Sequence, residues 1–261
     1  MKQQPKVDNK NVKKFIALPL LLALILAGCS DALTDADSDS SPQAPSSVNA
    51  DVAVYEVAVR NLSGGGQPFT PPLAVTHNAH ADLYSVGSAA SFGIKEIAEN
   101  GNLDPLVDAL SNNANIGDLV VAVAGNPPPV MPGQTVKFTI TAPAGNDYFS
   151  FASMLICTND GFTGLDAVKL PKYVGQDVGF GLRGYDAGTE INTEDFADIV
   201  PPCQGLIGVS SDDAGTGASN PALAENSVIK VHPNVQGGDD LLTDVHRWNE
   251  PVGKVRIRRI Q

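Results

Sequence analysis

Apolar and polar residues alternate along most of the chain from residue 52 onwards. In residues 52–60, β-branched and aromatic side chains recur with a period near two, which predicts a strand. The alternation is clearest in residues 134–142, where Val136, Phe138 and Ile140 share one face. Further strands are predicted at residues 73–76, 118–124, 168–172, 177–185, 228–231 and 253–260, and in the first half of residues 148–169.

Two helices are predicted between the strands at residues 73–76 and 118–124. In residues 88–100, Ile94 and Ile97 fall at helical spacing, and Gly101 supplies a stop. Asp104 and Pro105 then indicate a cap and a first-turn proline of a second, short helix. Many short strands with one two-helix insertion predict an all-β fold, an antiparallel β-sandwich.

Residues 148–169 are the most informative stretch. Phe149, Phe151 and Met154 alternate with small residues, so we expect them to pack in the core. The segment then breaks into a polar turn with Asp160, and Asp166 follows closely. A buried strand that delivers carboxylates to a loop is a plausible cation site.

The last predicted strand, residues 253–260, alternates Val255 and Ile257 with basic residues. It should therefore expose a basic row that includes Lys254, Arg256 and Arg258. Exposed charges of this kind protect the edge of a sheet, which predicts an edge strand.

The N-terminus has the order of a secretory signal. A lysine-rich segment precedes the apolar residues 15–26, and Ala27, Gly28 and Cys29 follow. This order predicts a lipoprotein signal peptide at residues 1–28 and acylation of Cys29, so that the anchor makes the membrane a partner. Ser30 favours the outer over the inner membrane of a bacterial envelope. An ordinary cleaved signal followed by a chance cysteine is the alternative.

Residues 29–50 are rich in Ser, Asp, Ala and Pro and predict a disordered acidic tether before a domain at residues 51–261. The sequence contains 17 Lys and Arg, of which five precede Cys29, and 29 Asp and Glu, of which one does. The chain from Cys29 onwards therefore has a formal charge near −16. Such a chain is a poor candidate for binding nucleic acid or an anionic membrane surface, and it suits a solvated exterior or cations.

Cysteine usage points to a disulfide. If the anchor uses Cys29, then Cys157 and Cys203 remain as an even pair in an exported protein, and we predict that they are bonded. Two buried free thiols are the alternative.

Catalytic motifs are scarce. Residues 179–184 match the spacing G-x-G-x-x-G, but turn residues follow where a dinucleotide site requires a helix. The sequence contains neither a G-x-S-x-G nucleophile elbow nor an HExxH motif. A binding module is therefore expected and not an enzyme; a metal-assisted hydrolase is the rival, and a structural role in the envelope is a third reading.

Carboxylates supply the strongest chemical signal. Asp160 and Asp166 follow the buried strand, and Asp186, Glu190, Glu194 and Asp195 crowd a later loop. If the two loops meet at one end of a sandwich, their oxygens could bind Ca²⁺, which prefers six to eight oxygen ligands. Ordinary solvated loop acids are the alternative.

Several motifs resemble the spondin N-terminal domain, which occurs in extracellular matrix spondins and in bacterial exported proteins. They are TNDGFTGLDAV after FSFASML, YDAGTE, HNAHADLYSVGSAAS, IKEIAENG and WNEPVGKVRI, and they extend over about residues 52–260. The resemblance implies a C2-like β-sandwich with bound calcium, used in adhesion or recognition and without known catalysis. At matching positions it implies Asp160, Asp186 and Glu190 as ligands, and Asp166 is added from its position alone.

Two departures from the family pattern stand out. Gly161 lies where animal members have an aromatic residue, and residues 203–226 match poorly. The combined expectation is a lipid-anchored envelope module with a structural calcium site and an extracellular protein or glycan ligand.

Overall fold

The computed structural model describes residues 52–123 and 129–261. The predicted signal peptide, the predicted acylation site Cys29 and the predicted tether at residues 29–50 lie outside the described residues. No helix within the described ranges is long and apolar enough to cross a membrane.

Antiparallel strands in two sheets make up most of the described chain. They are β1 (Val52–Asn61), β2 (Leu73–His77), β3 (Ile116–Val121), β4 (Thr135–Pro143), β5 (Tyr148–Met154), β6 (Gly161–Lys169), β7 (Asp177–Leu182), β8 (Gly184–Asp186), β9 (Lys230–Val231) and β10 (Gly253–Arg259). One sheet has the order β4-β1-β10-β7, and the other has the order β3-β2-β5-β6-β8-β9. This arrangement confirms the predicted antiparallel β-sandwich.

The core lies between the two sheets. Val57 and Val59 of β1 and Ile257 of β10 are buried on the inner face of the first sheet. Phe149 and Phe151 of β5 are fully buried in the same core, as is Met154 at the end of that strand. The sequence prediction for these β5 side chains is therefore confirmed, and their burial contributes to the stability of the domain.

The predicted two-helix insertion is present between β2 and β3. It consists of α1 (Phe92–Asn100), which contacts β5 and β6, and α2 (Asp104–Ser111), which packs on α1. Ser91 caps α1 by accepting a hydrogen bond from Ile94 N, and Gly101 ends it in the left-handed region. The first helix starts four residues later than predicted because Ser91 supplies the cap.

Two further short helices were not predicted. They are α3 (Pro202–Ile207) and α4 (Thr243–His246), and both lie in long connections of the C-terminal part. Their few apolar residues give no clear helical period, so the pattern along the sequence did not distinguish them from loops.

The second half of residues 148–169 is a strand and not a loop. After the turn, β6 begins at Gly161 and pairs with β5 from Phe162↔Met154 to Lys169↔Tyr148. Asp166 therefore lies within a strand. Four residues of mixed character, Gly-Phe-Thr-Gly at 161–164, start this strand and hide its alternation in the sequence.

The basic row of the last strand is exposed as predicted, but the strand is not at an edge. β10 pairs with β1 on one side and β7 on the other. Its Lys254, Arg256 and Arg258 are exposed on the outer face of the first sheet. The edge prediction was wrong because strand order depends on long-range pairing, which local alternation does not encode.

Candidate cation site

Two polar turns meet at one end of the second sheet. The pairing of β6 with β8 places Gly161 opposite Asp186, so the turn that precedes β6 adjoins the turn that follows β8. The amide of Ala187 donates to the carbonyl of Asp160 at 3.1 Å and joins the two turns directly. The sheet register therefore brings two sequence-distant carboxylates together.

Asp160 is the carboxylate that the first of these turns contributes to the site. Its side chain is fully buried, and its Oδ2 accepts hydrogen bonds from the amides of Thr189 at 2.8 Å and Glu190 at 3.0 Å. Its Oδ1 is buried and has no hydrogen-bond partner among the described residues. Burial, followed by the negative charge of Asp186, raises the pKa of Asp160 to about 7, although the two amides oppose this shift. A buried oxygen without a donor is costly, and a cation would satisfy it.

Asp186 is also fully buried, and its oxygens are oriented by local donors. Oδ1 accepts from the amide of Gly188 at 2.8 Å, and Oδ2 accepts from Asn192 Nδ2 at 2.8 Å. Asn192 follows the motif YDAGTE by two residues, so part of the orienting shell comes from the same loop.

Glu225 is the third carboxylate, and sequence reasoning did not identify it. The segment that carries it runs beside the loop after β8: Glu225 N donates to Thr189 O at 3.2 Å, and Glu190 forms an isolated β-bridge with Ala224. One oxygen from each of Asp160, Asp186 and Glu225 lies within 4.8 Å of the others. No local signal marks Glu225, because it lies in the stretch that matches the family pattern poorly.

Lys230 provides the only ammonium group that contacts this cluster among the described residues. It is the cross-strand partner of Asp186, and its Nζ lies 2.5 Å from Glu225 Oε1 and 3.6 Å from Asp186 Oδ1. The hydrogen bond that Lys230 donates to Glu225, together with the charge of Asp186, raises the pKa of Lys230 against the opposing effect of burial. With all groups ionised, three carboxylates and one ammonium have a formal charge of −2.

The turns that carry the carboxylates leave little room for other side chains. Gly188 has a φ of +69°, and a Cβ there would lie 2.5 Å from Val228 O. At Gly161, a Cβ would collide with Thr158 Oγ1, which accepts from the amide of Gly161 at 2.9 Å. Thr158 therefore takes the space beside the turn, and the aromatic residue of animal members would not fit here.

A disulfide fixes the start of the first turn. Cys157 immediately precedes Thr158, and it is bonded to Cys203 of α3 with a Cα–Cα distance of 5.1 Å. Both cysteines are fully buried. The predicted disulfide is therefore confirmed.

The other predicted carboxylates lie outside the three-residue cluster. Glu190 contributes its amide to Asp160, and burial and the charge of Glu99 raise the pKa of its own carboxyl to about 8. Asp166 accepts from the amide of Leu83 at 3.0 Å, on β6 and away from the turn. Its role as a metal ligand stays a prediction, as do those of Asp160, Asp186 and Glu190.

Glu194 and Asp195, which the sequence placed in the same acidic loop, have partners of their own. Glu194 accepts from the amides of Gln236 and Gly238 through its two carboxylate oxygens, each at 2.6 Å. Asp195 caps a turn of 3₁₀ helix by accepting from Ala197 N at 2.7 Å. These two acids therefore stabilise loops. An oxygen of Asp195 also lies within 4.8 Å of oxygens of Asp213 and Asp240, in a more exposed group that is separate from the buried cluster.

The donor set fits a hard divalent cation. All three groups offer carboxylate oxygen, and Asp160 Oδ1 has no other partner among the described residues. A cation that displaces the Lys230 ammonium would meet three carboxylates, which suits Ca²⁺. Three carboxylates are fewer than the six to eight oxygens that Ca²⁺ takes, so backbone oxygens and water would complete the shell.

The fold is an antiparallel β-sandwich that brings three carboxylates together where two turns meet at one end. A family model described as Spondin_N matches residues 65–196, about half of the chain. The protein belongs to the spondin N-terminal family, whose domains are extracellular binding or adhesion-type modules, in agreement with an exported protein. No curated protein matches the sequence. Asp160, Asp186 and Glu190 fall within the matched residues, whereas Glu225 and Lys230 lie beyond them.

Proposed function

We propose that the protein is a lipid-anchored binding module of the cell envelope, in which a structural Ca²⁺ site fixes the loops at one end of the sandwich. The observation that carries the proposal is the buried, unpartnered Oδ1 of Asp160 beside Asp186 and Glu225. Membership of an extracellular binding family supports an adhesive or recognition role. The ligand is an extracellular protein or glycan.

The cation acts on structure and not on a reacting group. Asp160 holds the loop after β8 through its hydrogen bonds to Thr189 and Glu190, and Glu225 holds a separate connection. A cation shared by these carboxylates removes their mutual repulsion and joins three segments that are distant in sequence. The loops that meet at the site then form a fixed surface for a partner.

The anchor is proposed at Cys29, at the end of the predicted signal peptide. Acylation places the domain at the membrane through a tether of acidic and small residues. Mass spectrometry of protein extracted from membranes should show an acylated N-terminal Cys29. A Cys29→Ser variant should accumulate without the acyl mass, and recovery of unmodified Cys29 in the wild-type protein would contradict the anchor.

Thermal unfolding with Ca²⁺ and with a chelator tests the cation site. Ca²⁺ at about 100 times its dissociation constant should stabilise the domain by about 2.7 kcal/mol. Asp160→Asn should abolish this response, because it removes the charge of the orphan oxygen while keeping the side-chain volume.

Asp166→Asn is the matched control, since Asp166 lies on β6 outside the cluster. It should keep the full response to Ca²⁺. An equal response in Asp160→Asn, or no response in the wild-type domain, would reject the proposed site.

A metal-assisted hydrolase that uses the same carboxylates is the alternative function. It requires a coordination position open to water with a base beside it. Hydrolysis of envelope polymers that depends on Ca²⁺ and is lost in Asp160→Asn would support the hydrolase over the binding module.

A further inference from the structure

The end of the sandwich opposite the carboxylate cluster has the reverse charge. A cleft of about 260 Å³ at this end is lined by Tyr55, Asp147, Tyr148, Lys169, Leu170, Pro171, Lys172 and Arg259. Asp147 is the only acid among these lining residues, against three cations. We call Lys169, Lys172 and Arg259 the basic end, and Asp160, Asp186 and Glu225 the acidic end. Along β6, Lys169 and Gly161 are separated by about 26 Å at 3.3 Å per residue.

The cations of the basic end form no salt bridge within the described ranges, although Asp147 lines the same cleft. None of the four salt bridges among the described residues includes Lys169, Lys172 or Arg259. Arg259 Nη1 donates to the carbonyl of Lys172 at 2.6 Å, and Lys169 Nζ lies 5.9 Å from the ring centroid of Tyr148. Arg259 Nε also donates to the carbonyl of Gln261 at 2.8 Å, so two main-chain oxygens orient Arg259, and Lys169 and Lys172 are the cations most available to an anion.

A rigid turn beside the cleft presents two apolar side chains to solvent. Tyr173 is 74% exposed and Val174 is 65% exposed. The turn is held by hydrogen bonds from the amides of Lys172 and Tyr173 to Gln176 Oε1, and from Gly175 N to the carbonyl of Arg259 at 2.8 Å. Tyr173 and Val174 are therefore exposed in a hydrogen-bonded turn, and exposed apolar side chains of this kind can mark a binding surface.

The chain also enters the domain at this end. Val52 starts β1, and the amide of Val54 donates to the carbonyl of Gln261 at 3.1 Å, next to Arg259. Tyr55 at the start of the same strand donates through its hydroxyl to the carbonyl of Pro171 at 3.1 Å. The chain that precedes Val52 therefore joins the domain beside the exposed turn and the basic cleft.

We propose that the basic end rests on the anionic surface of the membrane that holds the anchor. Tyr173 and Val174 enter the headgroup region, and Lys169, Lys172 and Arg259 bind lipid phosphates. Tyrosine suits this interface because its ring is apolar and its hydroxyl is polar, and each cation near an anionic surface adds binding energy. The orientation points the acidic end, with its loops, away from the membrane.

The proposal differs from the expectation from net charge, which makes an anionic membrane a poor partner, because charge is segregated between the two ends. It rests on the proposed anchor only for the identity of the membrane. Lipid binding by the basic end can be measured without acylation and without Ca²⁺, so its failure is distinguishable from failure of the anchor or of the cation site.

The test uses the unacylated chain from Ser30 to Gln261 and sedimentation with vesicles in the presence of a chelator. Vesicles of phosphatidylcholine with phosphatidylglycerol should bind the protein at low salt, and phosphatidylcholine alone should bind it much less. Binding should weaken by about fivefold for each of the changes Lys169→Gln and Lys172→Gln. The double change Tyr173→Ser with Val174→Ser should also reduce binding while the melting temperature stays unchanged.

The matched control is Ile191→Ser, which removes an exposed apolar side chain next to Glu190 at the other end of the domain. It should leave vesicle binding unchanged. Equal loss in the control, or no difference between the two kinds of vesicle, would overturn the proposal.

The binding test distinguishes the membrane from two other partners of the basic end, a soluble anionic polysaccharide and the acidic segment of this chain. If a soluble anionic polysaccharide binds as well as the vesicles and is insensitive to the Tyr173 and Val174 changes, the partner is a glycan and the membrane proposal fails. It also fails if vesicles bind only after Asp31, Asp35, Asp37 and Asp39 are changed to Asn, because the acidic segment then occupies the cleft itself.

Discussion

The two ends of the sandwich use charge in opposite ways. At the acidic end, Asp160 and Asp186 are fully buried, and their oxygens are held by backbone amides. At the basic end, Lys169 and Lys172 are exposed and form no salt bridge among the described residues. Buried charge of this kind shapes the fold and calls for a counter-ion, whereas exposed charge is available to an outside partner.

The contrast extends over the outer face of the first sheet. Of the 12 Lys and Arg from Cys29 onwards, eight lie on that face or at the basic end: Arg60, Lys137, Lys254, Arg256, Arg258, Lys169, Lys172 and Arg259. A net charge for the whole chain therefore describes neither end. The net charge of the chain is a guide to solubility, but it does not indicate which surface binds a charged partner.

The largest effect is expected from breaking the covalent support of the acidic end. The disulfide between Cys157 and Cys203 spans 46 residues, and in the chain-entropy model its loss costs about 4 kcal/mol. Replacing both cysteines by Ala should lower the free energy of unfolding by that order in denaturant titrations. It should also weaken the response to Ca²⁺, because Cys157 precedes the turn that carries Asp160.

Reduction of the wild-type protein should reproduce the effect, and Cys29→Ala should not. If the double variant keeps both its stability and its response to Ca²⁺, the disulfide does not support the acidic end.

The next largest effect is expected from replacing a glycine by alanine at each end of the sandwich. Gly188 and Gly175 both have positive φ values, of +69° and +85°, but their surroundings differ. Ala at position 175 meets nothing within 4 Å and should cost only the left-handed backbone penalty, about 1 kcal/mol. Ala at position 188 adds a collision with Val228 O, and it should cost at least about 2 kcal/mol.

Chemical denaturation measures both glycine variants. Gly188→Ala should also reduce the affinity for Ca²⁺, since the loop after β8 must shift, whereas Gly175→Ala should leave it intact. If both variants lose the same free energy of unfolding, the loop after β8 can shift to accommodate the alanine at position 188, and the predicted difference is wrong.

Much of this arrangement could be predicted from the sequence, because it depends on local patterns. Alternation identified β1, β4 and β5, and cysteine counting identified the disulfide. Asp160 and Asp186 were predicted as one site because each follows a strand in a polar turn and lies in a family motif. The hairpin of β5 and β6 and the pairing of β6 with β8 then bring them together.

The remainder depends on contacts that no local pattern records. Glu225 reaches the site because Ala224 bridges to Glu190, and nothing in the residues around Glu225 indicates that bridge. Asp166 looked equivalent to Asp160 because the start of β6 lacks alternation. Lys230 was not assigned to the site, although a strand at residues 228–231 was predicted, because its register opposite Asp186 depends on long-range pairing.

The raised pKa of Asp160 makes the stability of the domain depend on pH. Burial raises the pKa of Asp160 to about 7, above the ordinary value of 3.8. In chelator, the folded protein therefore takes up a proton more readily than the unfolded chain, and this contribution is fully present below about pH 4 and lost as the pH rises through about 7. Each pKa unit between the two states corresponds to about 1.4 kcal/mol.

The measurement is the difference in unfolding free energy between the wild type and Asp160→Asn from pH 8 to pH 4. This difference removes the opposite effect of His232, whose pKa burial lowers to about 4. Acidification should favour the wild type. With saturating Ca²⁺ the trend should reverse, since protons then compete with the cation. A difference that is flat with pH would contradict the assigned environment of Asp160.

The smallest effect compares single cations from the two regions. Lys230 contacts the buried Asp186 and the half-buried Glu225, so in chelator Lys230→Gln should destabilise the domain by about 1 kcal/mol. Arg256 pairs with Asp177 on the outer face, where both groups are exposed, so Arg256→Gln should leave the melting temperature unchanged.

The same pair of variants separates a structural counter-ion from a competitor of Ca²⁺. The ammonium of Lys230 lies between two proposed ligands, so Ca²⁺ has to displace it. Isothermal titration should therefore show a higher Ca²⁺ affinity in Lys230→Gln than in the wild type, although the variant is less stable without Ca²⁺. Arg256→Gln should keep the wild-type affinity. A lower affinity in Lys230→Gln would mean that Lys230 assembles the site for the cation instead of occupying its place.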